Sequence, residues 1–188
     1  MPITVLDPKT ALIVIDLQKS IAGHPLLTPV ATIIERANLL TKAFRKHKLP
    51  VVLVVADNVG FGRADISRPR APQPADATDP LSGLSVGPDD HHVTKTTVGA
   101  FTSTGLEAYL RKTGVTQVVV IGVATSFGVE STVRHAAELG FNVTVVTDAV
   151  TDLNEENHVR ALTGIFPRMA ETGTTQDLID KLDQSDAL

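Results

Sequence analysis

The stretch Val118 to Ala136, VVVIGVATSFGVESTVRHA, decides how this chain reads. Its first four residues, Val118 to Ile121, are β-branched and predict a strand buried on both faces. Gly122 ends the run, a sharp turn follows at Val123-Ala124-Thr125, and an amphipathic helix begins near Gly128. A strand, a turn and a helix in that order leave amide groups exposed at the helix start, a ready anion or oxyanion site. A reactive side chain is expected in such a turn, and Gly128 stands there instead.

Three further apolar runs, Ala11 to Ile15, Val51 to Val55 and Val143 to Val146, repeat the pattern of Val118 to Ile121. All four are nearly continuous rather than alternating, as strands of a parallel sheet are. Helical periodicity separates them. Thr28 reads as an N-cap with Pro29 at the first helical position, and Ile33, Ala37, Leu40 and Phe44 share one face. Further helices are predicted from about Thr104 to Lys112 and from Val129 to Leu139, with glycines 114 and 140 as stops. A fourth is opened by Asn154, and a last one is capped by Thr174 or Thr175. Strands alternating with helices predict a doubly wound α/β sheet, whose ligands sit beyond the carboxyl ends of the strands. Residues 1–188 read as one domain. The stretch from Gly60 to Asp90, rich in Pro, Gly, Asp and Arg, reads as a lid, an interface arm or a mobile loop.

Composition narrows the chemistry. The 188 residues are 43% hydrophobic and 20% charged, with a formal charge of −4, the balance of a globular chain. No basic block and only one Tyr beside six Phe argue against a nucleic-acid partner. No apolar run approaches the ~20 residues that span a bilayer, and MPITVLDPKT lacks a basic-then-apolar leader. No membrane partner and a cytoplasmic location are expected. Cysteine is absent, which removes disulfides, thiolate metal sites and a thiol nucleophile. His91 and His92 are adjacent and point to opposite faces of an extended segment, and neither HExxH nor HxH occurs. No metal and no cofactor are expected.

Candidate site residues follow from position. Asp16 follows the first buried run, where a side chain faces the ligand crevice or caps a loop. Apolar surroundings raise such a carboxyl's pKa and a nearby cation lowers it. Lys95 lies among Val93, Val98, Ala100 and Phe101. It is either an ordinary surface lysine or a buried one, which needs a carboxylate partner; Asp16 is the natural candidate. Thr125, Ser126 and Ser131 supply hydroxyls near the helix start, positions where capping is commoner than nucleophilic attack. The hydrolase elbow GxSxG is absent. Arg63, Arg68 and Arg70 could clamp a substrate carboxylate or lie in solvent. Asp148 and Asp152 are expected to cap the helix at Asn154.

DLQ (Asp16 to Gln18), KTTVGAF (Lys95 to Phe101), GVATSFGVEST (Gly122 to Thr132) and TDAVTD (Thr147 to Asp152) occur in order at plausible spacing. From about Thr10 to Asp183 the chain thereby resembles the isochorismatase-like hydrolase superfamily, which includes nicotinamidases and other cysteine amidohydrolases. The resemblance implies a three-layer fold with a six-stranded parallel sheet of order 3-2-1-4-5-6 and a homodimer or larger homo-oligomer. It implies a catalytic Asp at Asp16 and Lys at Lys95, with Gly128 in the place of the nucleophilic Cys. A cis peptide that helps shape the oxyanion hole maps to Val123-Ala124. The metal triad of nicotinamidases has no counterpart around Asp57. Isochorismatases also carry Gly in place of the Cys, but typically a Tyr at the position of Ala124 and a Gln at that of Asp57. Gln18, Asp57, Arg63, Phe101 and Ser126 are the expected substrate-binding positions.

Three readings follow. In the first, protonated Asp16 donates to the enol-ether carbon of a small acid, water captures the oxocarbenium ion, and Lys95 orients Asp16. In the second, Asp16 acts as a base on water that attacks an amide or ester. The third is a small-molecule-binding or regulatory protein on the same scaffold, without turnover.

Overall fold

A computed structural model describes residues 3–65 and 72–185. Arg68 and Arg70 lie outside the described residues. Six strands form one parallel sheet: β1 (Thr10–Ile15), β2 (Val51–Ala56), β3 (His91–Lys95), β4 (Gln117–Val123), β5 (Asn142–Thr151) and β6 (Glu171–Gly173). Their order is β3-β2-β1-β4-β5-β6, and every neighbouring pair is parallel. Among the described residues, five α-helices complete the layers: α1 (Val30–Lys46), α2 (Leu106–Lys112), α3 (Glu130–Glu138), α4 (Glu155–Arg160) and α5 (Thr175–Ser185).

The uninterrupted apolar runs are explained by two cores. Along β1, Ala11, Ile13 and Ile15 face one core with Leu106, Leu110, Val129 and Val133 of the α2–α3 side. Leu12 and Val14 face the other with Ile33, Leu40 and Phe44 of α1 and Leu178 and Leu182 of α5. Both faces of the strand are dry, so nothing selects for alternation. Strand β3 does alternate, with Val93 and Lys95 buried and His92 and Thr94 exposed, and β6 has only three residues. Both are edge strands, which are short or half-wet.

Helix boundaries differ from the periodicity by one or two residues, and the reasons are local. Helix α1 starts at Val30 with Pro29 as its N-cap, and Thr28 does not cap it. The Thr28 amide donates instead to Thr151 Oγ1 at 2.9 Å. Helix α2 begins at Leu106 because Thr104 bonds back to the carbonyls of Ala100 and Phe101. Asn154 caps α4, its side chain accepting from the Asn157 amide at 2.9 Å. Replacing it with Ala should cost about 1 kcal/mol, read as a lower urea midpoint with an unchanged slope. Thr174 caps α5 by accepting from the Asp177 amide at 3.2 Å, while Asp177 accepts from the Thr174 amide at 2.8 Å.

Residues 72–90 of the long loop are anchored, which does not match a free lid there. Ala77 and Leu81 are buried, Pro80 bridges to Gln18, and Lys19 pairs with Asp76 and Asp79 at 2.9 and 3.0 Å. At the sheet centre, a Cβ on Gly122 would lie 2.1 Å from the Ile15 carbonyl oxygen, and φ is +117°. Only glycine permits β1 and β4 to approach so closely at the strand ends. The β4–β5 register shifts at the same place, where the chain leaves the sheet for the turn.

Candidate active site

Strand β1 ends one residue before Asp16, whose amide still bonds the Val54 carbonyl at 2.9 Å. The next step is left-handed, with φ of 54° at Asp16, a conformation that non-glycine residues hold at a cost. The carboxylate enters the crevice beyond the strand ends. There Asp16 Oδ2 meets Lys95 Nζ at 2.9 Å, the two side chains being 14% and 2% exposed. Lys95 is the last residue of β3, two strands away in the sheet, and also donates to the Val98 carbonyl at 2.5 Å. The lysine is thus a buried cation with two acceptors.

Asp16 Oδ1 is buried and has no hydrogen-bond partner among the described residues. Burial pushes the Asp16 carboxyl from 3.8 to about 6, although the Lys95 charge and hydrogen bond both pull it down. Desolvation therefore outweighs the ion pair. The carboxyl exchanges its proton in the range where acid–base chemistry near neutral pH is effective.

The turn after β4 supplies the facing wall. The Val123-Ala124 peptide is cis, and a π-helical turn, Thr125–Val129, leads into α3. The amides of Phe127 and Val129 both donate to the Ala124 carbonyl, at 3.0 and 3.1 Å. Gly128 is buried against the charge pair: a Cβ there would stand 3.2 Å from Asp16 Oδ2, 3.2 Å from Ile15 Cγ2 and 3.3 Å from the Val123 carbonyl. Any side chain at position 128 would abut the carboxylate. Glycine leaves that room open.

The other expected site positions sort by environment. Asp57 is half-buried after β2, its amide bonded to the Lys95 carbonyl at 2.9 Å and its carboxylate accepting from Asn58 at 2.8 Å. With Asn58, Gln73 and Thr78 it lines a polar cavity of about 250 Å³. Among the described residues, no group of three His, Cys, Asp or Glu could hold a metal ion. Gln18 is 1% exposed. Its amide is spent on the scaffold: Nε2 donates to the Ala56 carbonyl at 2.9 Å and Oε1 accepts from the Ala56 amide at 2.6 Å. It ties the end of β1 to the end of β2. Arg63 is exposed. Ser126 is half-buried, with its amide donating to Asp152 Oδ2 at 2.7 Å.

Phe101 is a correction. It is 5% exposed and packs in the core, its ring 5.4 Å from His135 and 6.1 Å from Phe141. Phe141 immediately precedes β5, at the end of the sheet opposite Asp16, so Phe101 does not face the crevice. The family resemblance implied a substrate-binding place for it, whereas its side chain belongs to the core cluster with Leu106, Val133 and Phe141. The expected cap residues are corrected too. Asp148 serves the first residue of α5 rather than α4, accepting from the Thr175 amide and hydroxyl at 2.8 and 2.9 Å. Asp152 accepts from the amides of Leu153 and Asn154 at 2.7 and 3.3 Å, but gives its other oxygen to Ser126.

Sequence reading missed the rim. Phe127 and Phe61 are both more than half exposed, and their ring centroids lie 5.8 Å apart. They join the loop after β2 to the turn beside Gly128. Cavities of about 350 and 390 Å³ open at the other end of the sheet, around Gln117 and Asn142 and around Pro50 and Val51.

Comparison with known proteins agrees with this geometry. The Isochorismatase domain family matches residues 10–177. The isochorismatase family protein YwoC of Bacillus subtilis (strain 168) is 35% identical over 184 residues, covering 93% of this chain and 94% of the relative. An Arabidopsis thaliana protein named "Probable inactive nicotinamidase At3g16190" is 30% identical over 164 residues, covering 79% and 84%. A solved isochorismatase family protein from Burkholderia thailandensis superposes with a TM-score of 0.91 at 36% identity, covering 95% of this chain and 98% of its own. By the family match over residues 10–177, these relatives and the shared fold, the chain belongs to the isochorismatase-like hydrolase family, and it is a member with no cysteine.

Proposed function

We propose that the chain is a cysteine-independent hydrolase in which Asp16 is the general acid for a small, carboxylate-bearing enol ether. The buried, partnerless Oδ1 of Asp16, beside the room left by Gly128, carries this reading. A buried acceptor without a partner is costly, and a bound molecule that shares its proton removes the cost. Protonated Asp16 gives its proton to the terminal carbon of the enol ether. The π pair forms the new C–H bond and leaves an oxocarbenium ion. Water adds to that cation and returns a proton to the Asp16 carboxylate. The resulting hemiketal collapses to a ketone and an alcohol. Lys95 holds Asp16 in place and offsets negative charge; Arg63 is a candidate for the substrate carboxylate.

Incubation of the purified protein with a panel of small enol ethers, amides and esters tests this. Ketone release from enol ethers, with little cleavage of amides, is expected. Cleavage of amides alone would transfer the role of Asp16 to that of a base. Gly128→Cys puts a thiol back in the family's usual place, and gained amide hydrolysis in that variant would show the remaining machinery in working order.

The missing thiol also favours a second reading, a binding protein without turnover, and one relative is itself named as an inactive enzyme. Tight binding of a small carboxylate together with failure across the whole panel would establish it over the first.

A further inference from the structure

Helix α4 has six residues and none of them is buried; it runs on into Ala161 and Phe166, which are buried in the core. Polar ties add to that anchor. Arg160 donates to Glu130 at 2.9 Å, linking α4 to α3. His158 Nδ1 stands 2.8 Å from the hydroxyl of Thr125, which is fully buried and opens the turn leading to Gly128. That contact exists in either tautomer of the ring, since a hydroxyl both donates and accepts. Just before α4, Asp152 holds the Ser126 amide at 2.7 Å. Two consecutive residues of the turn are therefore gripped from the β5–α4 corner.

Thr132, inside α3, bonds the Gly128 carbonyl one turn back at 2.7 Å. Thr125 is the first residue of its turn and has no such carbonyl, and its hydroxyl reaches a side chain on another element. We propose that His158 is a positioning residue: through Thr125 it sets how close the turn stands to Asp16, and hence the width of the hollow over Gly128. The inference rests on the reading of that hollow as the reacting place. Sites of this kind lose effectiveness when their parts move by about 0.5 Å.

The chain has no cysteine, so Gly128→Cys carries a single thiol beside Asp16 Oδ2. Its titration, followed as the rate of iodoacetamide alkylation against pH, senses the distance from the turn to the Asp16–Lys95 pair without any substrate. In that background, His158→Ala and Thr125→Val are each expected to move the midpoint by at least about half a pH unit and the rate at neutral pH at least about threefold. The far-ultraviolet circular dichroism should stay unchanged. Because both changes break one contact, the pair together should shift the midpoint no further than either alone. His158→Asn, which keeps a nitrogen for Thr125, should return part of the shift. An unchanged titration in both single variants, or additive shifts in the double one, overturns the proposal. Should His158→Ala fail to fold, Thr125→Val decides alone. No turnover is measured, so an inactive parent protein leaves this test standing, and a negative result here leaves the hydrolase reading standing.

Discussion

Asp16→Asn should abolish turnover and, at neutral pH, make the protein more stable. The catalytic loss follows from removing the proton donor, a change expected to lower kcat/KM by about 10²- to 10⁴-fold. The gain in stability follows from the direction in which the fold moves the carboxyl. Its pKa rises from 3.8 to about 6 on folding, with burial the leading cause. A group raised in this way contributes most to stability below 3.8, where both states are protonated, and that contribution is lost as pH rises through 6. Each pH unit through which the native carboxyl outholds the unfolded one is worth about 1.4 kcal/mol. The ionised native protein is thus less stable by about 3 kcal/mol than one whose residue 16 stays neutral. Asparagine has nearly the same shape and no charge to desolvate. Urea unfolding at pH 7.5 should therefore show a higher midpoint for Asp16→Asn than for the wild type, and the two should converge near pH 4. A variant less stable than the wild type at pH 7.5 would mean that the Lys95 pair outweighs desolvation, and Asp16 could not then keep a proton for an acid step.

That trade is intelligible in the fold. An ionised Asp16 is costly even with the lysine beside it. The chain holds both, along with a left-handed residue at the end of β1. Local cost of this sort is ordinary at sites where reactivity rather than stability is served.

Much of the fold is legible in the sequence, though unevenly. The β-branched runs give β1, β2, β4 and β5, because strands buried on both faces leave long apolar stretches. They miss β3 and β6, since HHVTK is half-wet and ETG is too short for any period to register; the family resemblance supplies them. Asp16 is read from its place after the first apolar run, and Lys95 from its apolar neighbours as the candidate partner, because HHVTK gives no strand signal. The grip on the turn is not found in this way. Thr125 and His158 are 33 residues apart and Ser126 and Asp152 are 26 apart, and no local pattern marks such pairs. Phe101, six residues after Lys95 in the same motif, is packed in the core, a burial that the motif alone does not reveal. Gln18 lies two residues beyond Asp16, yet its amide serves the ends of two strands.

The pH dependence of kcat/KM separates acid from base at Asp16. If the acid form reacts, the rate is level below about 6 and falls tenfold per pH unit above it, since the free enzyme's own carboxyl governs this parameter. Near pH 7 about one-tenth of the molecules would carry the proton, enough for turnover. A base mechanism gives the opposite limb, rising to a plateau above 6. Lys95→Met sharpens the distinction. Removing the cation deletes the two influences that lower the Asp16 pKa and leaves burial unopposed. The falling limb should then move to higher pH, by about one unit or more, while the plateau drops because the developing charges lose their partner. The Val98 carbonyl also loses its donor, at a cost of about 1–3 kcal/mol, so the profile is best recorded well below the unfolding temperature. A falling limb that stays at 6 in Lys95→Met would assign it to a group other than Asp16, and one that moves to lower pH would reverse the sign of the pairing on which the acid role depends.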